Sequence, residues 1–516
     1  MKIVTKEELR SILAGLKEGA TVATSGAGGG LVEPDEALSC FEDAFLQEGS
    51  PRNLTLVHAL GLGDRGRRGT NRFAHEGMVR RVIGGHWVWS PTMLRMAQEN
   101  KIEAYCLPGG AIMHLFREIG AGRPGLFTHV GLGTFVDPRQ QGGRCNAIST
   151  EDVVELVQVD GRDVLRYKPF PVDVGVIRGT YVDDAGNIST SEEPADLDIY
   201  SVALAARNSG GIVVAQVRER VPRGSFRPRE VAVPGNLVDY VIVCPEQQQT
   251  YQGGYHLSLA GLEHGDVIKN AGKDDAARRI VAARAAEELI PGTTLNFGFG
   301  MSADVAEIIF RTGRQNDFWF TIEQGIHGGD LLTGDMFGIA ANPMGILSSP
   351  EQFDLYSGGG LDMTFLGLAE MDGAGNVNVS HFGGQISGPG GFIDITQRAK
   401  AVVFCGSFDT KGARVRAADG RLVIERHGEV RKLVERVAGI TFSGEQAIAD
   451  GKKVVYVTER AVFELTPAGV ELIEVAPGID IRADVLDRMG FAPIVRTPRL
   501  MSARFFETAA RIDSAA

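Results

Sequence analysis

Cysteine is scarce in this chain of 516 residues. Its five copies (Cys40, Cys106, Cys145, Cys244 and Cys405) are odd in number and widely spaced, with no Cys-x-x-Cys pair and no cysteine–histidine cluster. That pattern gives no support for a zinc centre or a disulfide scaffold, so no metal is expected, and it fits a reduced cytosol. Long apolar runs are also missing: none approaches the ~18 residues that span a bilayer. The opening Met-Lys-Ile-Val-Thr-Lys-Glu-Glu has no apolar stretch of the kind that marks a secretory leader. The expectation is a cytoplasmic protein with no membrane partner. Positive charge is in deficit: 53 Lys and Arg stand against 65 Asp and Glu, a net charge of −12, and the basic residues are scattered. This argues against a nucleic-acid partner. An anionic small ligand stays open, because backbone amides can hold phosphate without net charge.

What the chain has is length and glycine. At 516 residues it exceeds one ordinary core, so two or more domains are expected. Its 67 glycines are about double the usual share. Many stand in pairs and triplets beside apolar runs, which suggests tight turns and close backbone approach rather than disorder.

The chain also repeats itself. Residues 19–38 read Gly-Ala-Thr-Val-Ala-Thr-Ser-Gly-Ala-Gly-Gly-Gly-Leu-Val-Glu-Pro-Asp-Glu-Ala-Leu. Residues 292–309 read Gly-Thr-Thr-Leu-Asn-Phe-Gly-Phe-Gly-Met-Ser-Ala-Asp-Val-Ala-Glu-Ile-Ile. Each is a short β-prone run, a glycine turn and a stretch with helical spacing. Downstream, Leu54–Val57 parallels Phe320–Glu323, Asp183–Ile188 parallels Asp372–Val377, and Gly211–Ala215 parallels Ala401–Cys405. The fold class expected is α/β: two related open domains from an internal duplication, with mainly parallel sheets and an active site in the cleft between them. The boundaries read as 1–243, a linker at 244–273, and 274–516. Where the second half has Glu323 the first has Val57, which suggests one reactive carboxylate per chain.

Glu323 ends the apolar run Phe318–Ile322 and opens a glycine-containing loop, where a large ligand can approach it. The turn Gly298-Phe299-Gly300-Met301-Ser302-Ala303 satisfies G-x-G-x-x-A, and Glu323 follows Gly300 by 23 residues. That spacing fits a nicotinamide or flavin enzyme as well as a coenzyme A enzyme. What the two share is a helix N-terminus offering amides to phosphate; a plain packing turn has the same pattern. Gly26–Gly30 lacks a following acid and is better read as substrate lining or close packing. Gly358–Gly360 and Gly388–Gly391 are turns whose amides can form an oxyanion hole. His327 lies close to Glu323 in sequence without a defined role, and Ser25 lacks the G-x-S-x-G setting of a hydrolase nucleophile.

Taken together these residues resemble the single-chain family I CoA-transferases, of the acetate/propionate, 3-oxoacid type. The resemblance runs through Leu115–Ile119, Thr128–Arg139, Ala206–Gly211, Gly298–Ser302, Glu323–Gly325, Gln352–Asp354, Gly358–Asp362, Gly375–Ser380 and Gly388–Ile395. It implies a ping-pong exchange of CoA between short-chain carboxylic acids through a glutamyl-CoA thioester on Glu323. It implies acyl-CoA and carboxylic acid substrates, no cofactor beyond the CoA thioester itself, and a homo-oligomer (dimer or tetramer). It places Gly298, Phe299, Gly300, Met301 and Ser302 in the CoA-binding loop and Gly390 and Gly391 in the oxyanion region. Gly28, Gly29, Gly109 and Gly359 are expected to line the substrate. Gly109 stands where the family commonly has glutamine, and the first turn lacks the family's phenylalanine; a loop without both is expected to leave room for a larger acyl group. Acyl-CoA hydrolysis on the same scaffold, a nicotinamide or flavin oxidoreductase using Gly298–Ala303, and a non-catalytic CoA-binding protein are the alternatives.

Overall fold

The strand Val174–Asp183 is buried along nearly its whole length and lies inside a parallel sheet. Burial on both faces is why its sequence does not alternate apolar and polar residues; its one internal charge, Arg178, is buried and paired with Glu193 at 2.9 Å. A computed structural model describes residues 1–265 and 275–507. They form two compact units: residues 1–265, 322–354 and 384–394 in the first, and 275–321, 355–383 and 395–507 in the second.

In the first unit the sheet order is Lys2–Ile3, Tyr240–Val243, Ile212–Val221, Val174–Asp183, Thr21–Thr24, Leu54–His58, Val79–Gly84, Glu103–Cys106, all parallel. Helices cover it. Gly109–Gly120 buries Ile112, Leu115, Phe116 and Ile119, an i, i+3, i+4, i+7 stripe. It packs against Ile199–Asn208 so closely that a Cβ on Gly120 would stand 2.7 Å from Leu204 Cγ.

The sheet of the second unit runs Trp319–Ile322, Thr294–Phe297, Met363–Gly367, Ala401–Cys405, Lys453–Val457, Ala461–Thr466, Gly469–Val475, Ile494–Leu500. Its first five strands are parallel. They repeat the order of the first sheet, with Thr294–Phe297 in the place of Thr21–Thr24 and Met363–Gly367 in that of Val174–Asp183. The duplication extends to single hydrogen bonds. Asp173 Oδ2 accepts from Thr21 N at 2.9 Å, and Asp362 Oδ2 from Thr294 N at 2.8 Å. Asp183 Oδ1 holds the amides of Ala185 and Asn187, and Asp372 Oδ1 those of Ala374 and Asn376. Asn187 and Asn376 then accept from Gly235 N and Gly444 N, both at 3.0 Å.

This register corrects the sequence alignment. Thr55 pairs with Thr21 as Trp319 pairs with Thr294, so the counterpart of Glu323 is Ala59 rather than Val57. The position is still apolar, and the carboxylate remains unique to one copy.

The unit boundaries differ from two consecutive halves. The segments 322–354 and 384–394 follow the expected linker in sequence yet pack with the first unit. The described part of that linker also belongs there. Gln247 Nε2 donates to Gly179 O at 2.9 Å, Gln249 Nε2 to Glu192 O at 2.7 Å, and Tyr251 OH to Glu33 Oε1 at 2.6 Å. A polar stretch without periodicity is thus anchored by its side-chain amides. Residues 266–274 and 508–516, including the end of the linker and the expected start at 274, lie outside the described residues.

Candidate active site

Glu323 follows the strand Trp319–Ile322 and is itself half-buried. The chain turns sharply after it: Gly325 has φ +95°, and a Cβ there would lie 2.0 Å from Leu347 O. Gln324 Nε2 lies 3.4 Å from Glu323 Oε1. The second partner of the carboxylate is the Gly391 N–H; burial outweighs both and pushes the Glu323 pKa up to about 7. A Cβ on Gly391 would stand 1.9 Å from Glu323 Oε2 and 3.0 Å from Phe353 Cε1. Only glycine fits between this carboxylate and its donor.

The turn that presents Gly391 is held from below. Gly390 N donates to Gly85 O and Gly109 N to Gly390 O, both at 2.7 Å, while Trp87 N donates to Ser387 O at 2.9 Å. Gly85 follows the strand Val79–Gly84, and Gly109 lies three residues after the end of Glu103–Cys106. The carboxyl ends of the first sheet therefore carry the turn, the place where ligands of parallel sheets bind. The Gly390 amide is committed to Gly85, so of the two expected oxyanion donors it is Gly391 whose amide faces Glu323.

Asp394 has a part in this arrangement that sequence reasoning did not assign. Its Oδ2 accepts from Gly110 N at 3.1 Å, and a Cβ on Gly110 would meet its Oδ1 at 2.6 Å. Burial, opposed by that hydrogen bond and reinforced by the nearby Glu323 charge, raises its pKa to about 7. The signal was present: an acid three residues after Gly391, in the first turn of the helix Phe392–Arg398. His58 and His86, near the same strand ends, are both held neutral by burial, at about 4. His327, whose pKa is lowered by burial, is engaged by Gln352. Two resembling segments meet where Asp354 Oδ2 lies 2.8 Å from Arg117 Nη1 and Oδ1 lies 3.1 Å from His114 Nε2. These partners, His114 first, hold Asp354 down at about 2.

The remaining predicted residues divide between the units. Gly28 and Gly29 belong to the first. A Cβ on Gly28 would fall 2.1 Å from Trp89 Nε1, and one on Gly29 2.7 Å from Asp335 O. Gly30, with φ +85°, lies against the Tyr251 ring. The room expected from the missing phenylalanine is thus filled by Trp89 and Tyr251, two aromatic residues supplied from elsewhere in the chain. A side chain at Gly109 would begin 2.9 Å from Ala59 O and 3.2 Å from Gly390 O, so the missing glutamine leaves no open space at its Cβ either.

Gly298–Ser302 and Gly359 belong to the second unit. Gly298 N donates to Phe365 O at 2.8 Å, Gly300 adopts φ +99°, and the buried Ser302 returns its hydroxyl to Gly298 O at 2.9 Å. Arg278 fixes the turn through Gly300 O at 3.0 Å and through Asp304. Phe299 is exposed, and the helix Ala303–Arg311 begins directly behind. Gly359, at φ +87°, closes the turn after the helix Ser349–Ser357 through Tyr356 O.

Among the described residues no helix is long and apolar enough to cross a membrane, and no group of three acidic, histidine or cysteine side chains is arranged to hold a metal.

Comparison with known proteins fits this geometry. Residues 6–243 match the family described as Coenzyme A transferase. Acetate CoA-transferase YdiF of Escherichia coli (strain K12) is 40% identical over 493 residues, 95% of this chain and 93% of that protein. Caffeate CoA-transferase of Acetobacterium woodii is 40% identical over 503 residues, covering 96% and 95%. The crystal structure of the YdiF apoenzyme from Escherichia coli O157:H7 superposes with a TM-score of 0.92 at 38% identity, over 98% of this chain and 96% of that one. A YdiF thioester complex with CoA matches equally well. With near-complete relatives at this identity, the nicotinamide and flavin reading of Gly298–Ala303 falls away: the chain belongs to the coenzyme A transferases and is an enzyme that transfers coenzyme A.

Proposed function

We propose that Glu323 is the nucleophile of a ping-pong exchange between short-chain carboxylic acids. A Glu323 carboxylate oxygen attacks the thioester carbonyl carbon of the acyl-CoA. The C–S bond breaks, giving an acyl-glutamyl anhydride and CoA thiolate. The thiolate attacks the glutamyl carbonyl carbon, the first acid leaves as carboxylate, and a glutamyl-CoA thioester remains. The carboxylate of a second acid attacks that thioester and releases the thiolate. The thiolate then attacks the carbonyl of the incoming acid, which forms the new acyl-CoA and restores Glu323. No electrons change hands, and atoms balance without metal or redox cofactor.

The observation that carries this reading is the seat of Glu323 against Gly391. A carboxylate is a weak nucleophile, and desolvation with a raised pKa makes it a stronger one. The Gly391 amide positions it, and such a donor supports developing oxyanion charge by ~3–4 kcal/mol in comparable sites. Gly298–Ser302 is read as the loop that holds coenzyme A, with helix N-terminal amides behind it. Acetate and caffeate in the names of the relatives bracket the acids worth testing, from small aliphatic to aromatic. The reading includes a homo-oligomer, and a reduced cytosol in keeping with five widely spaced cysteines, four of them buried.

Initial rates at several fixed acceptor concentrations test it. Parallel double-reciprocal lines, no sustained turnover without an acceptor acid, and loss of transfer in Glu323→Ala and Glu323→Asp are expected. Intersecting lines would refute a covalent relay, and steady turnover with water alone would make the enzyme a hydrolase.

A further inference from the structure

Lys432 is a buried cation without an anion. It follows the strand Val430–Arg431 and keeps 9% of its surface exposed. Its side chain runs to Gly406, the residue after the strand Ala401–Cys405: a Cβ there would lie 2.9 Å from Lys432 Nζ and 3.2 Å from Leu368 Cγ. Two carboxylates are near, and both are committed elsewhere. Glu459 takes Arg460 Nε at 3.1 Å on one oxygen and Phe408 N at 2.8 Å on the other. Asp409 takes Arg460 Nη2 at 2.7 Å and Arg488 Nη2 at 3.3 Å. His427 lies farther out, 3.9 Å from Asp409 and 3.7 Å from Asp484. Three basic side chains, Arg460, Arg488 and Lys432, thus share two inner carboxylates, and among the described residues none closes an ion pair with Lys432. Burial lowers its pKa to about 8 in spite of both acids. An unpaired charge held this way is costly unless a ligand completes it.

The ammonium stands on the same rim as the Gly298–Ser302 turn. Thr294–Phe297, Met363–Gly367 and Ala401–Cys405 are parallel neighbours, so Gly298, Leu368 and Gly406 all follow carboxyl ends. Gly298 N bonds to Phe365 O, and a Cβ on Gly367 would lie 3.6 Å from Phe299 O. The segment 365–368 touches the turn on one side and Gly406, beside Lys432, on the other.

We propose that Lys432 binds a phosphate of coenzyme A, forming one anion site with the Gly298–Ser302 turn. This rests on the reading of that turn as the CoA-binding loop. Coenzyme A offers a diphosphate and a 3′-phosphate, whereas its pantetheine arm is uncharged and cannot neutralise an ammonium. Glycine at 406 leaves beside the ammonium the space that a Cβ would take.

Reductive methylation of the wild-type enzyme, read by mass spectrometry of the Lys432 peptide, tests this without a folding variant. Lys432 is expected to react in the free enzyme, to be protected by CoA and to stay reactive with pantetheine. Protection by dephospho-CoA assigns the diphosphate, and its failure assigns the 3′-phosphate. No reaction in the free enzyme, no protection by CoA, or equal protection by pantetheine overturns the proposal. In Lys432→Met, with thermal unfolding recorded alongside, KM for the acyl-CoA is expected to rise about tenfold or more while KM for the acyl-pantetheine holds. An equal change for both donors marks a structural lysine and overturns it. Phe299→Ala separates the two layers. If it raises KM for the acyl-CoA and Lys432→Met does not, only the lysine proposal fails; if neither does, the loop reading fails with it.

Discussion

Gly391 has no side chain because Glu323 occupies the place of one: its Cβ would sit 1.9 Å from Glu323 Oε2. Gly390, next to it, has nothing within 4 Å of its Cβ position but holds φ +53°. The two glycines therefore predict different defects. Gly391→Ala displaces the nucleophile and should lower kcat/KM by about a hundredfold or more, as loss of an oxyanion-type donor does. Gly390→Ala costs ~1–2 kcal/mol of backbone strain and should lower thermal stability with a much smaller loss of rate. Equal effects on rate in the two variants would refute the assignment of the donor to Gly391.

Acidity should control the rate. Glu323 attacks as carboxylate and its pKa stands at about 7, as does that of Asp394 beside it. Activity should therefore rise with pH through about 7 and fall on the acid side, with the midpoint belonging to the pair. Both folded-state values lie above those of free carboxyls, so their ionisation takes stability away as pH rises through about 7. Glu323→Ala should accordingly unfold a few degrees higher than wild type at pH 8 and nearly level with it at pH 5. A rate already flat at pH 5, or a variant less stable at pH 8, would contradict this.

The paired networks at Asp183 and Asp372 should matter for folding and little for chemistry. Each carboxylate ties two loop amides and an asparagine side chain in its own unit. Asp183→Ala and Asp372→Ala each leave buried donors unsatisfied, at ~2–4 kcal/mol. Denaturant unfolding should show a comparable loss in both, with kcat of the folded fraction retained.

Much of the fold was legible because its signals are local. Glycine turns between β-prone and helical runs, and Asp-x-Ala-Gly-Asn written twice, fix short-range hydrogen bonds that the structure contains. Long-range pairing was not legible. Strand register decides that Ala59, not Val57, answers Glu323, and no residue near Val57 encodes it. Periodicity likewise cannot say that residues 322–354 and 384–394 pack with the first unit, since an apolar strand end reads the same in either partner. Glu323 was singled out by the asymmetry of the repeat and Gly391 by its glycine turn, and the resemblance gave both their expected roles; Asp394 was in the quoted motif but acquired a role only from its bond to Gly110. The small first turn suggested space, and Trp89, about 60 residues away, fills it.

Trp89 gives a specificity prediction. Its indole packs on Gly28 and is covered by the Arg65 guanidinium at 4.2 Å. If Gly28 and Gly29 line the acyl group, Trp89→Ala should shift kcat/KM toward longer or aromatic acyl-CoAs by about tenfold relative to acetyl-CoA. An unchanged ranking across an acyl panel would remove this turn from the substrate site.

The central claim, a covalent relay on Glu323, is tested most directly by intact mass. The protein is incubated briefly with acetyl-CoA, propionyl-CoA or acetoacetyl-CoA, beside Glu323→Ala. A gain of one coenzyme A less one water, absent from the variant and discharged by a carboxylic acid, is the predicted result. An adduct that persists in Glu323→Ala, or full transfer activity with no adduct on the wild type, would contradict it.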